Sequence, residues 1–226
     1  MENNFKEIRI VVFLPTLFGG GAEETFIRLV SYLNDNDYDT TLLIGTSNTS
    51  SIYEKEIGNR VKVIESPRLR YSILKIFKYL KNTKPDLVIS TLWYANIMIF
   101  LICKFLGIKT ILREAGNDYR VDNNFLSKLK SLIIKLAYSN ADKTIVISDY
   151  LKKDLTDNLS INFSKIIRIY NPVESYIDKS NLKKINLNNY FFNTNKETKY
   201  VVCASRLDEV KGIDFLIEAF NELKSQ

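Results

Sequence analysis

The chain has 226 residues, of which 46% are hydrophobic and 26% are charged, and it carries a net charge of +6. These proportions are typical of a folded globular protein and exclude a disordered chain. The sequence contains no histidine, which excludes a histidine general base, a histidine metal site and a Ser-His-Asp triad.

Short β-branched runs alternate along the chain with longer segments of helical period. This alternation predicts a parallel sheet with helices on both faces, and right-handed crossovers make a doubly wound, Rossmann-like α/β sheet the expected topology. Several runs are apolar throughout, as expected for strands buried on both faces. The predicted strands are residues 8–14, 40–44, 61–64, 86–90, 109–113, 143–147 and 165–170. The predicted helices are residues 22–35, 72–82, 94–106, 125–139 and 149–158.

The sequence changes in character after Asn171-Pro172. Residues 175–199 are rich in Asn and Lys, contain no glycine and show little apolar periodicity, which is typical of a linker. We therefore expect an amino-terminal domain over residues 1–173, a linker over 174–199, and the first strand and helix of a second domain over 200–226. One strand and one helix cannot cover both faces of that strand, so we expect the second domain to be truncated.

Four further patterns bear on the class of protein. Cys103 and Cys203 lie in apolar runs that predict a buried helix and a buried strand (200–205), so we expect two core thiols and neither a disulfide nor a zinc site. The longest apolar run, residues 94–106, is shorter than the ~20 residues of a membrane span. Lys and Arg rarely form a block longer than two, which argues against nucleic-acid binding. Met1 leads into charged residues without an apolar signal segment, so we expect a cytoplasmic protein.

Glycines Gly19, Gly20 and Gly21 follow the first predicted strand and open the first predicted helix. In open α/β sheets ligands bind beyond the carboxyl ends of the strands, and glycines there let backbone N–H groups approach a phosphate. A strand-to-helix turn also uses glycines without any ligand, and Glu23 is then an ordinary first-turn acid, so both interpretations stay open. The G-x-G-x-x-G fingerprint is absent, which disfavours a nicotinamide cofactor and an oxidoreductase.

Arg206 and Lys211 occupy the equivalent position after the predicted strand 200–205. Two cations before a helix amino terminus form a suitable site for a diphosphate, because arginine binds two oxygens and lysine adds a mobile charge. By composition alone, the interpretation as solvated surface cations paired with Asp208 and Glu209 is favoured over a diphosphate site.

The stretch CASRLDEVKGIDFLIEAFNEL (203–223) resembles the opening of the carboxyl-terminal domain of GT-B glycosyltransferases of family 4. That opening usually has Gly-Arg-Leu or Ser-Arg-Leu, then Lys-Gly, then Leu-Ile-Glu-Ala-Phe. The segments GGGAE, KPDLVIS, ADKTIVISDYLKKDL and KIIRIYNPVE are similar to the family in the same order. The resemblance covers nearly the whole chain and is specific to the family but not to a substrate.

The resemblance implies a GT-B fold and a retaining transferase that moves a sugar from a nucleotide diphosphate sugar to a glycan or lipid-linked acceptor, in surface polysaccharide biosynthesis. It places Arg206 and Lys211 on the catalytic pair that neutralises the leaving diphosphate. Gly20 and Gly21 match the loop that approaches the donor phosphates or the acceptor. No metal and no cofactor besides the donor is implied.

On the acceptor side, the resemblance points to Glu23 and to Glu114, although Glu114 fits equally well as a partner of Arg113. Two features depart from the family. Some relatives have an acceptor-side histidine, which this chain lacks, and the family's pair of donor-site glutamates lies beyond residue 226. The alternative function is therefore a non-catalytic Rossmann-like subunit or remnant that binds an acceptor or a partner chain, and such a partner chain could also supply the missing half domain.

A peripheral contact with the inner face of a membrane is a further expectation. Residues 72–82 and 126–138 are basic amphipathic segments, and the family resemblance implies lipid-linked acceptors. Taken separately, each segment is better explained as an ordinary sheet-covering helix with its lysines in water.

Overall fold

The computed structural model describes residues 8–18, 20–47, 61–116, 125–172, 201–205 and 207–224. All seven predicted strands of the first domain form one parallel sheet, in the order β3-β2-β1-β4-β5-β6-β7. The strands are β1 (Arg9–Leu14), β2 (Asp39–Ile44), β3 (Val61–Val63), β4 (Leu87–Thr91), β5 (Lys109–Glu114), β6 (Lys143–Val146) and β7 (Ile166–Arg168).

The expected helices between the strands are present as well, which confirms the doubly wound α/β fold. They are α1 (Gly21–Asp35), α2 (Leu69–Thr83), α3 (Trp93–Leu106), α4 (Phe125–Asn140) and α5 (Asp149–Leu159). Their ends follow local rules. The Ser148 side chain accepts a hydrogen bond from the Leu151 amide and caps α5, and α3 ends where Gly107 adopts φ +70°, a backbone conformation that glycine adopts without steric cost.

Apolar side chains on both faces of the sheet hold the layers together. On one face, Val12 and Leu14 of β1 pack with Phe26 and Val30 of α1. On the other face, Phe13 packs in a cluster that α2 and α3 share, and α4 and α5 close a further cluster over β5, β6 and β7. Because β1 is buried on both faces after its first residue, its sequence is apolar without alternation.

The chain divides into two compact units, Met1–Val173 and Glu174–Gln226. In the second unit, a 3₁₀ turn (Glu209–Lys211) leads into α6 (Ile213–Lys224), which confirms the helix predicted at 213–224. The strand predicted at 200–205 is not formed over residues 201–205, which pair with no strand in the part of the chain that the structure describes. A single extended segment has no neighbour to complete the ladder of hydrogen bonds.

Only one of the two cysteines lies where the sequence predicts. Cys103 is buried under α3, as predicted, but Cys203 is exposed, so the prediction of a second core thiol is wrong. Its apolar neighbours Val201 and Val202 are exposed too.

Candidate functional site

The sheet has one topological switch point, between β1 and β4. β1 pairs with β2 on one side and with β4 on the other, so the chain leaves these two central strands in opposite directions. The loops that follow these two strands therefore diverge at the carboxyl edge of the sheet, and ligands of open α/β sheets bind in the crevice expected at such a point. We call the region between residues 15–18 and 20–21 on one side and residues 92–94 on the other the switch-point crevice.

The glycine loop forms one wall of the switch-point crevice. Gly20 is the residue before α1 and has an extended backbone, and no side chain caps the helix amino terminus. The Glu23 side chain folds back onto Gly20, since a Cβ added there would lie 2.4 Å from a carboxylate oxygen of Glu23. A Cβ on Gly21 would meet nothing within 4 Å. The structure therefore brings three predicted site residues, Gly20, Gly21 and Glu23, to one helix terminus, and Gly19 lies outside the described residues.

An aromatic pair forms the opposite wall. Leu92 follows β4 with φ +72° and ψ +122°, a strained conformation for a side chain that branches at Cγ, and such strain is concentrated at functional sites. The rings of Trp93 and Tyr94 meet edge to face with centroids 5.7 Å apart. Burial, and to a smaller extent the charge of Glu23, raises the pKa of Tyr94. The charge of Glu23 therefore acts on Tyr94 from the other side of the crevice.

Glu114 ends β5 and is only 3% exposed. Its Oε2 accepts a hydrogen bond from the Tyr138 hydroxyl, and its Oε1 accepts from the amides of Ala115 and Gly116 at 3.1 and 3.3 Å. The Tyr138 hydroxyl in turn accepts from Nδ2 of Asn96 at 2.8 Å. A chain of hydrogen bonds therefore connects α3, α4 and β5, and buried chains of this kind hold their members in one geometry.

Arg113 lies one residue earlier in β5 and is also buried. Its guanidinium donates to Thr91 Oγ1 at 3.1 Å and to Asn171 Oδ1 at 2.6 Å, and it lies 5.7 Å from the centre of the Phe26 ring. Burial lowers the pKa of Arg113, and the charge of Glu114 opposes this shift. The charge of Glu114 thus acts on Arg113, while the pairing of the two side chains and the acceptor-side role of Glu114 both stay predictions.

A pocket of about 510 Å³ opens beside Arg113, on the α1 side of the sheet. Ile89, Ile145 and Tyr170 contribute apolar walls, and Asn171 lies at its rim. The hydrogen bond from Arg113 to Asn171 thus connects the strand end to the segment that follows β7.

The predicted donor-side pair belongs to the second unit. Lys211 is exposed and directly precedes Gly212, whose φ is +58° and whose carbonyl accepts from the Leu216 amide at the start of α6. Lys211 therefore lies at a helix amino terminus, as the sequence predicts. Arg206 lies outside the described residues, so its catalytic role stays a prediction.

Neither a metal cluster nor a membrane span occurs in the described residues. No group of three or more Cys, Asp or Glu within the described ranges could hold a metal ion. Across the same ranges, no helix has both the length and the hydropathy needed to cross a bilayer.

Sequence reasoning missed five residues of this region, which are Leu92, Trp93, Tyr94, Asn96 and Tyr138. Two signals could have found some of them. Trp93 is the sole tryptophan of the sequence and directly follows the end of a buried strand, and Asn96 is a polar residue inside an apolar helix. Nothing in the sequence pairs Tyr138 with Glu114.

Comparison with known proteins agrees with this geometry. The model of the family described as Glycosyltransferase Family 4 matches residues 19–175. Over 229 aligned residues the chain is 27% identical to the Campylobacter jejuni N-acetylgalactosamine-N,N'-diacetylbacillosaminyl-diphospho-undecaprenol 4-alpha-N-acetylgalactosaminyltransferase. That alignment covers 96% of this chain and 60% of the relative.

Two solved structures share the fold. A glycosyltransferase from Rickettsia africae has a TM-score of 0.60 at 21% identity, covering 82% of this chain and 49% of that one. The Anabaena protein HepE, solved in complex with UDP-glucose, has a TM-score of 0.59 at 13% identity, covering 74% of this chain and 44% of that one. The chain thus spans between about two fifths and three fifths of the length of these proteins. Since the family model matches more than half of its residues, the chain belongs to glycosyltransferase family 4.

Proposed function

We propose that the chain is the acceptor-side part of a retaining glycosyltransferase. It would pass a sugar from a nucleotide diphosphate sugar to a glycan or lipid-linked acceptor in surface polysaccharide biosynthesis. The observation that carries this proposal is the family match over residues 19–175, which contains Gly20, Gly21 and Tyr94 of the switch-point crevice. The name of the Campylobacter relative, a transferase acting on a diphospho-undecaprenol-linked acceptor, supports the acceptor class. The UDP-glucose bound to HepE supports the donor class.

The donor side of the proposed reaction needs positive charge. In the transfer, the bond between the anomeric carbon and the diphosphate oxygen breaks, a bond to an acceptor oxygen forms, and a nucleoside diphosphate leaves with its negative charge. Arg206 and Lys211 would stabilise that charge as it develops, with the amino terminus of α6 beside Lys211 adding N–H donors. Gly20 and Gly21 would let the backbone of α1 approach the donor phosphates or the acceptor.

The acceptor would enter the switch-point crevice from the side of Tyr94. Tyr94 presents an aromatic face and a hydroxyl, and Glu23 presents a carboxylate across the crevice, which are groups that bind the apolar faces and hydroxyls of a sugar. Glu114 would contribute a buried carboxylate to the acceptor side, at the end of β5. A location at the inner face of a membrane follows from the proposed acceptor, whose lipid is held in a bilayer.

The test uses the full chain with a labelled panel of UDP- and GDP-sugars and an undecaprenyl-diphosphate-linked saccharide. We expect a product in which the new linkage keeps the anomeric configuration of the donor, as read by NMR. We also expect Arg206→Ala and Lys211→Ala to lower transfer by about 10² to 10³ each, the typical effect of removing one group that stabilises developing charge. Lys109→Ala is the matched control, because Lys109 is an exposed lysine at the amino edge of the sheet.

Of three other results, the first and the third would contradict the proposal, and the second would refine it. Acceptor binding without turnover or nucleotide binding would favour the non-catalytic subunit. Activity that appears only after a second chain is added would assign the donor half to that partner. Tight binding of a nicotinamide dinucleotide instead of a nucleoside diphosphate would favour an oxidoreductase.

A further inference from the structure

Three neighbouring helices concentrate the positive charge of the protein. α2, α3 and α4 contain no Asp or Glu and hold eight cations, namely Arg70, Lys75, Lys78, Lys81, Lys104, Lys128, Lys130 and Lys135. The remaining residues have 24 Lys and Arg against 26 Asp and Glu. The net charge of +6 therefore comes entirely from these three helices.

The three helices lie side by side on the same layer of the fold. α2 contacts α3 and α3 contacts α4, and the rings of Phe77 and Phe105 meet with centroids 5.7 Å apart across the first contact. α2 and α3 share one buried cluster, while Phe100 of α3 joins the cluster under α4. Their outward faces therefore form one continuous surface.

The outward side of α4 is apolar, although its inward side already fills the core. Ile134, Ala137 and Tyr138 are fully buried. The outward residues follow the spacing of one helix face and are 38 to 52% exposed; they are Leu129, Leu132, Ile133 and Leu136. A sheet-covering helix normally has polar residues on this side, so packing among the described residues does not explain this apolar stripe.

The neighbouring helices extend this apolar stripe. Leu74 of α2 and Phe105 of α3 are each 80% exposed, and Leu101 lies one turn before Phe105 on the same side of α3. These exposed apolar residues and the eight cations make up one outward surface. We call it the lysine-leucine face. Contiguous exposed apolar surface marks a binding surface.

We propose that the lysine-leucine face docks on an anionic lipid bilayer. Leucine and phenylalanine side chains would enter the boundary between headgroups and acyl chains, and the lysines would extend to the anionic headgroups. A bilayer satisfies both kinds of side chain at once. A second copy of the chain is disfavoured, because a twofold contact would place eight cations against eight.

The position of the face relates this inference to the proposed function without depending on it. α3 begins at Trp93, at the wall of the switch-point crevice, and Lys130 of α4 lies 3.9 Å from the centre of the Trp93 ring. The lysine-leucine face therefore starts where the crevice opens. A lipid-linked acceptor could then pass from the bilayer into the crevice without leaving the protein surface.

The test is co-sedimentation of the full chain with vesicles of equal parts phosphatidylglycerol and phosphatidylcholine, and with vesicles of phosphatidylcholine alone. We expect binding to the anionic vesicles, weak binding to the neutral ones, and release when the salt is raised from about 0.1 to about 1 M, because salt screens charges at a surface. Neither donor nor turnover is needed, so a failure of the proposed transfer reaction leaves this result unaffected.

Two sets of variants distinguish docking by the lysine-leucine face from a general attraction between a basic protein and anionic lipid. Replacing Lys78, Lys104 and Lys128 by Gln should lower vesicle binding roughly fivefold per lysine, whereas replacing Lys62, Lys109 and Lys143, which are exposed on strands, should lower it far less for the same change in net charge. Leu132→Gln with Leu136→Gln should also weaken binding at least about tenfold, since two buried leucines would be lost from the bilayer. The matched control is Tyr32→Gln with Tyr150→Gln, two exposed aromatic residues on α1 and α5.

Four outcomes would overturn the proposal. They are equal binding to neutral and anionic vesicles, no binding to either, full binding by the leucine variant, and equal losses in the two lysine sets. Full binding by the leucine variant, together with binding of duplex DNA, would indicate a nucleic-acid surface. A dimer in sedimentation without lipid, broken by the leucine variant, would indicate a protein interface.

Discussion

The Tyr138 hydroxyl on α4 donates a hydrogen bond to the carboxylate of Glu114 at the end of β5, 24 positions earlier in the chain. Both side chains are buried, and Asn96 of α3 donates to the same hydroxyl. These hydrogen bonds thus connect the carboxyl edge of the sheet to α3 and α4, which form the middle and one side of the lysine-leucine face.

Removing the Tyr138 hydroxyl should destabilise the protein. Tyr138→Phe keeps the ring in the core but leaves both Glu114 and Asn96 without one partner, at a cost of about 1–3 kcal/mol. Urea denaturation of Tyr138→Phe, Glu114→Gln and the double variant measures the coupling between them. We expect a coupling of at least about 0.5 kcal/mol, and strict additivity would contradict the hydrogen bond.

Arg113 should not tolerate replacement by lysine. An ammonium cannot donate to both Thr91 and Asn171 in the fixed geometry of a guanidinium, so Arg113→Lys should lower the free energy of unfolding by about 1–3 kcal/mol. Arg28→Lys is the control, since Arg28 is a partly exposed residue paired with Glu24 and its replacement should change stability by less than about 0.5 kcal/mol. Equal effects at the two positions would show that Arg113 is not a structural anchor.

The two thiols should react at very different rates. Burial raises the pKa of Cys103 to about 12, so at about pH 8 almost none of it is thiolate, while Cys203 is exposed. Ellman's reagent should therefore modify Cys203 in the native protein and Cys103 only after denaturation. Rapid modification of Cys103 in native Cys203→Ala would contradict this burial.

The same burial should make stability depend on alkaline pH. A thiol whose pKa is higher in the folded than in the unfolded state keeps its proton to a higher pH when the protein is folded. The contribution of Cys103 to the free energy of unfolding is therefore fully present below its ordinary pKa of 9.0 and is lost as pH rises through about 12. Denaturation of wild type and Cys103→Ala across this range should show a steeper loss for wild type. If wild type and Cys103→Ala lost stability in parallel as the pH rose, the loss would come from other groups.

The glycine loop offers a test that separates folding from binding. Gly20→Ala would only push aside the flexible end of Glu23, and Gly21→Ala has open space, so each should change the free energy of unfolding by less than about 1 kcal/mol. If the backbone of these residues contacts donor or acceptor, both variants should lower transfer at least about tenfold, because an added methyl group would hold the ligand away from the backbone N–H groups. Unchanged transfer would show that the loop is only a strand-to-helix turn and does not contact donor or acceptor.

Much of the fold could be predicted from local patterns. The apolar runs of β1, β4 and β5 and the helical periods between them identify the elements, because period and burial are properties of neighbouring residues. Gly20, Gly21 and Lys211 lie at helix amino termini, as the helical periods that follow them predict. Long-range pairing could not be read in the same way, since the segment 201–205 is apolar yet forms no strand without a partner.

The sequence by itself thus determined the order of strands and helices, and with it the Rossmann-like sheet and the family. Only the tertiary structure decided that Tyr138 meets both Glu114 and Asn96, that the charge of Glu23 acts on Tyr94, and that cations scattered along the chain gather on one surface. The physical reason is distance. Secondary structure depends on residues within a few positions, whereas hydrogen-bond partners and surface charge depend on which segments the crossovers bring together.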